Sequence, residues 1–320
     1  MTAVTLSIYT QTAGECNHSC HDGTVQGNLE GGAYSLVFIV GFLVNAAAMY
    51  AFIAKRGLRS DTDVYMFNLV IADSALILFL PFRIYDAFFC LKMYRLCTFL
   101  ISVHYINMYA SILTTTAISV QRYLAIRFPL QARSWRKKKQ AAIFVCLVIW
   151  GLLVCIAVGF TKTFKPNNLW MCYERCPCKP LPTTHIVLIM SLGYLSPLMI
   201  IVFCSSQIIF TLLKTDEMTV EMKSTVAIVT ANMIVFIVCY TPFHVAILVK
   251  YLNHPDNTYQ HQNDPYQTFL AVSESLAATN CCFDSISYYF LLKRFYTHTK
   301  RSGGTSATQD SSLEMAQNNN

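Results

Sequence analysis

The chain has 320 residues, 54% of them hydrophobic and only 13% charged, with a formal net charge of +7. Soluble domains carry about 25% charged residues, so a soluble enzyme of this length would leave much apolar surface without a polar exterior. Disorder is excluded by 21 Phe and 18 Tyr together with the low charge, and the composition therefore predicts a membrane protein.

Seven segments are apolar enough and long enough to cross a bilayer as helices, a crossing that takes about 20 residues. In chain order they cover residues 33–54, 64–82, 96–121, 141–160, 185–213, 224–249 and 265–292. Five carry no formal charge, whereas the second contains Asp73 and the seventh contains Glu274 and Asp284. The predicted fold class is an all-α membrane protein built as a bundle of seven transmembrane helices.

The basic residues predict how this bundle is oriented. With the N-terminus outside, 16 of the 24 Lys and Arg residues lie on the cytoplasmic side, as the positive-inside rule requires. The basic run at 133–139 is interpreted as an orientation anchor, so we expect no nucleic-acid partner. The chain then divides into an extracellular tail at 1–32, a membrane domain at 33–297 and a disordered cytoplasmic tail at 298–320.

The external segments carry signs of a secretory environment. The polar first 30 residues show no cleavable signal peptide, and the first span is expected to direct insertion. Asn17 begins a glycosylation sequon, Asn17-His18-Ser19. Seven of the 13 cysteines lie at or beyond the external ends, where disulfides form, and an odd number leaves at least one without an internal partner. A zinc site at Cys176-Pro177-Cys178 is compatible with the pattern, but no matching His pair follows.

Sequence motifs appear in order along the spans. They are Gly41-x-x-x-Asn45, Asn68-Leu69-x-x-Ala72-Asp73, Cys97, Gln121-Arg122-Tyr123, Trp150, Pro197, Phe236-x-x-Cys239-Tyr240-x-Pro242 and Asp284-Ser285-Ile286-Ser287-Tyr288. With this set, the chain resembles a rhodopsin-like, or class A, G-protein-coupled receptor over about residues 30–297. Residues 203–206 and 280–284 resemble the lysophospholipid-sensing (lysophosphatidylinositol) and kynurenic-acid-sensing receptors of the purinergic-like branch. The resemblance implies a seven-helix receptor domain and a short amphipathic cytoplasmic eighth helix.

Polar residues inside the spans mark the first candidate site. A charge at bilayer depth is costly and needs a partner or a function. We expect no cofactor apart from the sodium ion that the resemblance implies at Asp73, Asn107, Ser111 and Asp284. The alternative is a water-filled hydrogen-bond network that only holds the helices together.

One face of the third span is expected to point into the bundle. Cys97, His104 and Ser111 lie seven residues apart. A second row with the same spacing runs from Met108 through residue 115 to Arg122. Both rows fall close to one helical face. The resemblance implies a disulfide from Cys97 to Cys172 that clamps the second external loop over the cavity.

The second candidate site lies toward the external end. We predict ligand contacts at Arg83, His104, Tyr105, Met108, His244, Lys250 and Glu274. Arginine binds anions well, which favours a lysophospholipid or a small aromatic carboxylate as ligand. The alternatives for Arg83 are snorkelling to the interface or pairing with Asp86 or Glu274. His104 stands where amine receptors of this family carry an Asp, so an aminergic ligand is not expected.

The resemblance implies G-protein coupling at the cytoplasmic end through a third set of residues: Arg122, Leu130, Phe236, Tyr240, Pro242 and Tyr288. Pro242 interrupts the helical hydrogen-bond ladder and so supplies a hinge. Gln121 replaces the acid that usually restrains Arg122, which predicts elevated basal signalling. Phosphorylation of the tail would recruit arrestin, at Thr297, Thr299, Ser302, Thr305, Ser306 and Thr308.

The predicted protein is therefore a plasma-membrane receptor and not an enzyme. Its expected partners are an extracellular anionic or lipid ligand, a heterotrimeric G protein, arrestin, receptor kinases and membrane lipids. Two alternatives have the same composition. A transporter would show duplicated halves, which the chain lacks. A scavenger would bind ligand without activating G proteins, and a nucleotide-exchange measurement would distinguish it.

Overall fold

The structure is a computed structural model that describes residues 25–56, 61–89, 91, 94–129, 139–160, 172–173, 181–214, 219–253 and 265–286. Every long element in these residues is a helix. The helices are α1 Val25–Tyr50, α2 Asp61–Phe89, α3 Tyr94–Arg127, α4 Lys139–Phe160, α5 Thr183–Leu213, α6 Val220–Leu252 and α7 Pro265–Ala278. A π-helical turn, Ala51–Arg56, extends α1. This architecture agrees with the all-α prediction.

Six of these helices, α1 to α6, are long and apolar enough to cross a membrane. The seventh is broken, because α7 ends after 14 residues and the helical path resumes only at 280–286. At the break the Thr279 hydroxyl donates to the carbonyl oxygen of Leu276 over 2.6 Å, while the Thr279 backbone N–H also donates to that oxygen. A side chain that competes for backbone acceptors in this way weakens the regular ladder. The predicted seventh span at 265–292 is therefore two helical pieces in its described part.

The first two helices are longer than the predicted spans. The first begins at Val25, inside the segment assigned to the tail, and the second continues past residue 82 to Phe89. The Asp86 carboxylate accepts a 2.7 Å hydrogen bond from the backbone N–H of Leu91, just beyond that end. Hydropathy marks only the apolar part of a helix, so polar turns at either end are left out of a predicted span.

The helices form a ring around a central member. The ring closes because α7 packs against both α6 and α1, while α3 contacts α2, α4, α5 and α6. The predicted inner face of α3 is confirmed, since Cys97, His104, Met108 and Ser111 are all buried. Large apolar side chains cover the outside instead, as on α4, where Phe144 and Leu147 are two-thirds exposed. Large apolar side chains on the outside suit a bundle whose surroundings are hydrocarbon.

The helix α5 changes its winding midway. Residues Thr183–Leu188 and Ser196–Leu213 are α-helical, and the turn between them, Ile189–Leu195, is π-helical. Gly193 lies in that turn, where a Cβ atom would come within 2.8 Å of the Tyr109 ring on α3. A side chain at this position would push α5 and α3 apart, which explains a glycine here.

Candidate functional site

A charged cluster lies near the end of the bundle that carries Cys97, which we call the Cys97 end. There Arg83 of α2 forms an ion pair with Glu274 of α7, with side chains only 6% and 8% exposed. Tyr105 of α3 donates to the other oxygen of the same carboxylate, Oε1, over 3.2 Å. One carboxylate therefore joins three helices, and it satisfies a cation that would otherwise be buried alone.

Two aromatic rings enclose the Arg83 guanidinium. Its carbon lies 4.7 Å from the ring centroid of Tyr34 and 4.1 Å from that of Tyr173. Both distances are within the range of cation–π attraction. We call Arg83, Glu274, Tyr105, Tyr34 and Tyr173 the outer cluster.

A disulfide holds one of these rings in place. Cys97 at the start of α3 is bonded to Cys172, and Tyr173 is the next residue. Burial raises the pKa of the Tyr173 phenol above its ordinary value, so the ring is neutral beside Arg83. The disulfide therefore fixes a loop residue directly over the buried cation.

Two acids, Asp86 and Glu274, were considered as partners of Arg83, and the structure pairs Arg83 with Glu274. Glu274 is its partner, whereas Asp86, the other candidate acid, accepts from Leu91 at the end of α2. Both Glu274 and Tyr105 are thus brought together with Arg83.

Below the outer cluster lies a cavity of about 270 Å³. It is lined by Asp73, Leu76, His104, Asn107, Met108, Tyr240, Ala277, Ala278, Asn280 and Cys281. Three of its polar atoms are buried without a hydrogen-bond partner among the described residues, namely Asp73 Oδ2, His104 Nε2 and Asn107 Nδ2. Such atoms normally bind water or an ion. His104 and Met108 therefore face this cavity, and His104 forms an edge-on contact with Tyr105 above it.

A second polar group lies on the side of the cavity away from Cys97. It consists of Asp73, Asn107, Ser111, Asn280 and Asp284, and we call it the inner cluster. Asp284 Oδ2 accepts hydrogen bonds from the Ser111 hydroxyl over 2.8 Å and from Asn280 Nδ2 over 2.6 Å. Asn280 also donates to Ser111 over 2.8 Å. Asp73 is 1% exposed and acts electrostatically on Asp284.

The donor set fits a small hard cation. Carboxylate, hydroxyl and amide oxygens are the ligands that such cations prefer. Asp73 presents an unpartnered buried oxygen, and Asn107 presents an unpartnered amide that can turn its oxygen inward. Asp73 and Asn107 line this cavity, and Asn280, which also lines it, donates to both Ser111 and Asp284.

Two of the predicted ligand residues, His244 and Lys250, lie outside both the outer cluster and the cavity below it. His244 is fully buried, with Nδ1 2.8 Å from the Tyr240 carbonyl oxygen and its ring stacked 4.4 Å from Tyr194. It belongs to an aromatic contact between α5 and α6. Lys250, near the end of α6, donates to Gln267 of α7.

The predicted coupling residues extend from the middle of the bundle toward the end opposite Cys97. Phe236 and Tyr240 are buried and line a second cavity of about 410 Å³ together with Asp284, and Pro242 lies inside α6. Arg122 is half-buried at the end of α3. Leu130, Tyr288, the tail hydroxyls and the sequon at Asn17 lie outside the described residues.

Gln121 contacts a hydroxyl group of α2. Its Oε1 accepts a long, 3.5 Å hydrogen bond from the Thr62 hydroxyl of α2. A carboxylate at position 121 could form an ion pair with Arg122, the next residue, whereas the uncharged amide of Gln121 cannot.

Two further polar hubs hold the helices together. Asn45 donates to the Cys281 carbonyl oxygen over 3.1 Å and accepts from Ser285 over 2.7 Å, which joins α1 to the end of the seventh span. Ser285, a residue of the last sequence motif, therefore has a structural partner.

The second hub is Asn68, which donates to Thr114 over 2.9 Å and accepts from Trp150 over 2.7 Å. It joins α2, α3 and α4. Both hubs use residues of the sequence motifs.

Sequence reasoning missed Tyr34 and Tyr173. Tyr173 had a usable signal, because it follows Cys172 and a disulfide to Cys97 would place it over the bundle. Tyr34 had none, since its contact depends on the packing of α1 against α2.

A sequence model of the family described as 7 transmembrane receptor (rhodopsin family) matches residues 44–288. Several curated proteins are similar over most of their length. The Mus musculus protein named G-protein coupled receptor 35 is 31% identical over 271 residues, covering 83% of this chain and 86% of that protein. Lysophosphatidic acid receptor 6 of Gallus gallus is 31% identical over 278 residues, covering 82% and 89%. Cysteinyl leukotriene receptor 1 of Cavia porcellus is 29% identical over 302 residues, covering 86% and 84%.

Proposed function

The chain belongs to the rhodopsin family of seven-transmembrane receptors, and from this premise we propose that it recognises an anionic ligand through Arg83. As a family member it is a multi-pass plasma-membrane protein, a receptor rather than an enzyme, that couples a small or lipid ligand to G proteins. The transporter and scavenger alternatives are not favoured, because the relatives are named as receptors.

The buried cation of the outer cluster carries the proposal. Arg83 is 5% exposed, yet it lies at the Cys97 end of the bundle beside a loop residue, Tyr173. An Arg in a dry, aromatic-lined site binds carboxylate or phosphate strongly, because water competes little there. Lysophosphatidic acid, the compound in the name of the Gallus gallus relative, carries a phosphate. The proposed ligand class is a lysophospholipid or a small aromatic carboxylate.

The Cys97 end is proposed to face outside the cell, with the N-terminus. The excess of Lys and Arg near the other end supports this orientation. The Cys97–Cys172 disulfide also suits the oxidising exterior.

The test is a ligand screen with a matched variant. Cells expressing the chain are exposed to lysophospholipids and aromatic acids, and the screen is repeated with Arg83→Ala. We expect the effective concentration of an active compound to rise roughly 10- to 100-fold in Arg83→Ala, because a hydrogen bond to a charged group contributes about 1.5–3 kcal/mol. Exchange of nucleotide on a purified G protein reports signalling directly.

Surface expression of Arg83→Ala must match that of the original chain, and Arg95→Ala serves as a control that removes an exposed cation from the same end of the bundle. An active compound with the same potency on Arg83→Ala would contradict the anion anchor. A compound that binds the chain without stimulating nucleotide exchange on the G protein would favour the scavenger alternative.

We propose the inner cluster as a sodium site, with Asp73, Asn107, Ser111 and Asp284 as ligands. A bound sodium ion would offset the repulsion between two carboxylates in a dry interior, leaving one net negative charge. Asp73 and Asp284 would then hold α2 and the seventh span together, and Ser111 would attach α3.

The activation route is proposed to run along α6. Phe236 and Tyr240 line the cavity next to Asp284, and Pro242 removes one backbone hydrogen bond directly above them. The cytoplasmic half of α6 can therefore bend about Pro242 when an agonist shifts the population toward an open bundle. Arg122 and Tyr288 are the proposed contacts for the G protein, with Leu130 in the second internal loop.

Gln121→Asp is expected to lower basal signalling about twofold to fivefold. A carboxylate beside Arg122 would form a partly exposed ion pair that favours the closed bundle by up to about 1 kcal/mol. The measurement is ligand-free nucleotide exchange at equal receptor density, with Gln121→Asn as the neutral control. Unchanged basal exchange in Gln121→Asp would contradict this role.

The remaining proposals concern the ends of the chain. We propose glycosylation at Asn17 and a short amphipathic helix along the membrane surface after the seventh span. Receptor kinases would phosphorylate the tail hydroxyls and so recruit arrestin. Contacts with membrane lipids along the exposed apolar faces complete the proposed partners.

A further inference from the structure

The position that an anion would take on Arg83 is already filled by a side chain of the protein. Among the described residues, Arg83 donates one hydrogen bond, from Nη2 to Glu274 Oε2. Rings of Tyr34 and Tyr173 lie over the guanidinium. The polar edge of Arg83 therefore faces a carboxylate, and its faces are covered by aromatic carbon.

We propose that Glu274 is an internal counter-ion that a ligand anion must replace on Arg83, so that Glu274 sets both the affinity threshold and the anion selectivity of the receptor. This inference rests on the proposed function, because it assumes that Arg83 is the anchor. It assigns Glu274 a role opposite to that of an ordinary ligand contact, since its carboxylate competes with the ligand.

The charge arithmetic of the outer cluster requires competition. Arg83 contributes one positive charge and Glu274 one negative charge, and both side chains are buried. A ligand anion adds a second negative charge within a few ångströms of the first, where little water screens the repulsion. The repulsion weakens each anion's contact with Arg83 when both are present, so a ligand anion competes with Glu274 for the guanidinium.

The geometry supplies a place for the displaced carboxylate. Tyr105 already donates to Oε1 of Glu274, while Arg83 uses Oε2. When the contact with Arg83 is lost, Glu274 keeps its hydrogen bond to Tyr105 and is not left unpartnered. The exchange breaks the link between α2 and α7 and preserves the link between α3 and α7. Anion binding is thereby connected to the packing of the helices.

A purely structural ion pair is the competing explanation, and the two differ in one measurable property. A counter-ion in an accessible anion site leaves that site open to a free anion once its charge is removed, whereas a purely structural pair encloses Arg83 and gives a free anion no access. The position left by truncating Glu274 is about the size of a small carboxylate. Acetate is therefore the natural probe, with chloride as the matched salt.

The experiment measures the thermal midpoint of purified, full-length Glu274→Ala in sodium acetate and in sodium chloride at equal ionic strength. We expect a lower midpoint than the original chain in chloride and a saturable recovery of most of that loss in acetate. The original chain should show no difference between the salts. The double variant Arg83→Met/Glu274→Ala should show none either, because the cation that binds acetate is gone.

A second variant protects the test against poor folding of Glu274→Ala. Glu274→Gln keeps the volume and the contact with Tyr105 but removes the charge, and we expect it to bind acetate at least tenfold more tightly than the original chain. Asp86→Asn is the control, because it removes an acid from the same end of α2 whose contact is the Leu91 backbone.

Recovery in acetate that depends on Arg83 would support the proposal. Equal midpoints in acetate and chloride for both Glu274 variants would overturn it. Neither result depends on the ligand screen, so a receptor that ignores all tested anionic ligands would count against the proposed function alone.

Discussion

Replacing Cys97 by Ser is expected to lower the free energy of unfolding by about 4 kcal/mol. The disulfide with Cys172 closes a loop of 75 residues, and a closed loop of that length restricts the unfolded chain by roughly this amount. Loss of the bond also frees Tyr173, which covers Arg83. We therefore expect the response to an anionic ligand to weaken together with the stability.

The measurement is the thermal midpoint of the purified protein, with surface expression as a second readout. Cys172→Ser should match Cys97→Ser, and the double variant should be no worse than either, because one bond is lost in all three. Cys155→Ser removes an exposed free thiol and is the control. Additive losses in the double variant would show that the two cysteines act separately.

Asp73→Asn is expected to abolish the stabilisation of the receptor by sodium. At a sodium concentration 100 times its dissociation constant, a site present only in the folded state contributes about 2.7 kcal/mol. Asp73 offers the unpartnered buried oxygen of the cavity, so it is the residue whose loss should matter most. The readout is the thermal midpoint in sodium chloride and in choline chloride at the same ionic strength.

Asp284→Asn should give the same loss, and Ser111→Ala should give a partial loss because a hydroxyl is a weaker ligand than a carboxylate. Asp86→Asn, on the same helix as Asp73 but outside the cavity, should keep the full sodium effect. If the original chain is equally stable in both salts, the inner cluster is the hydrogen-bond network considered as the alternative.

The helices and the inward face of α3 could be predicted because both depend on local patterns. Apolar length marks each span, and residues at helical spacing, such as Cys97, His104 and Ser111, mark a face. The break at Thr279 could not be predicted, since one hydroxyl hydrogen bond decides it. Helix ends were misplaced at Val25 and Phe89 because polar turns carry no hydropathy signal.

The outer cluster could be predicted only in part. Arg83, Tyr105 and Glu274 stand out in sequence as polar or charged residues near the end of a span. Whether Glu274 or Asp86 pairs with Arg83 depends on the position of α7 along the axis of α2. No local sequence pattern encodes that position. His244 and Lys250 were grouped with Arg83 because they lie toward the external end of the sixth span, but that position leaves open which side of the bundle a residue faces.

The π-helical turn Ile189–Leu195 affects how α5 should be compared with other helices. A wider turn holds one residue more than an α-helical turn, so side chains on its two sides are out of phase by about 100°. Counting in steps of three and four from Pro197 toward Thr183 would therefore assign the wrong residues to the interior. A single-residue insertion or deletion in this turn would rotate Thr183–Leu188 about the helix axis and leave Ser196–Leu213 in place. The side chains of α5 that meet α6 would then change.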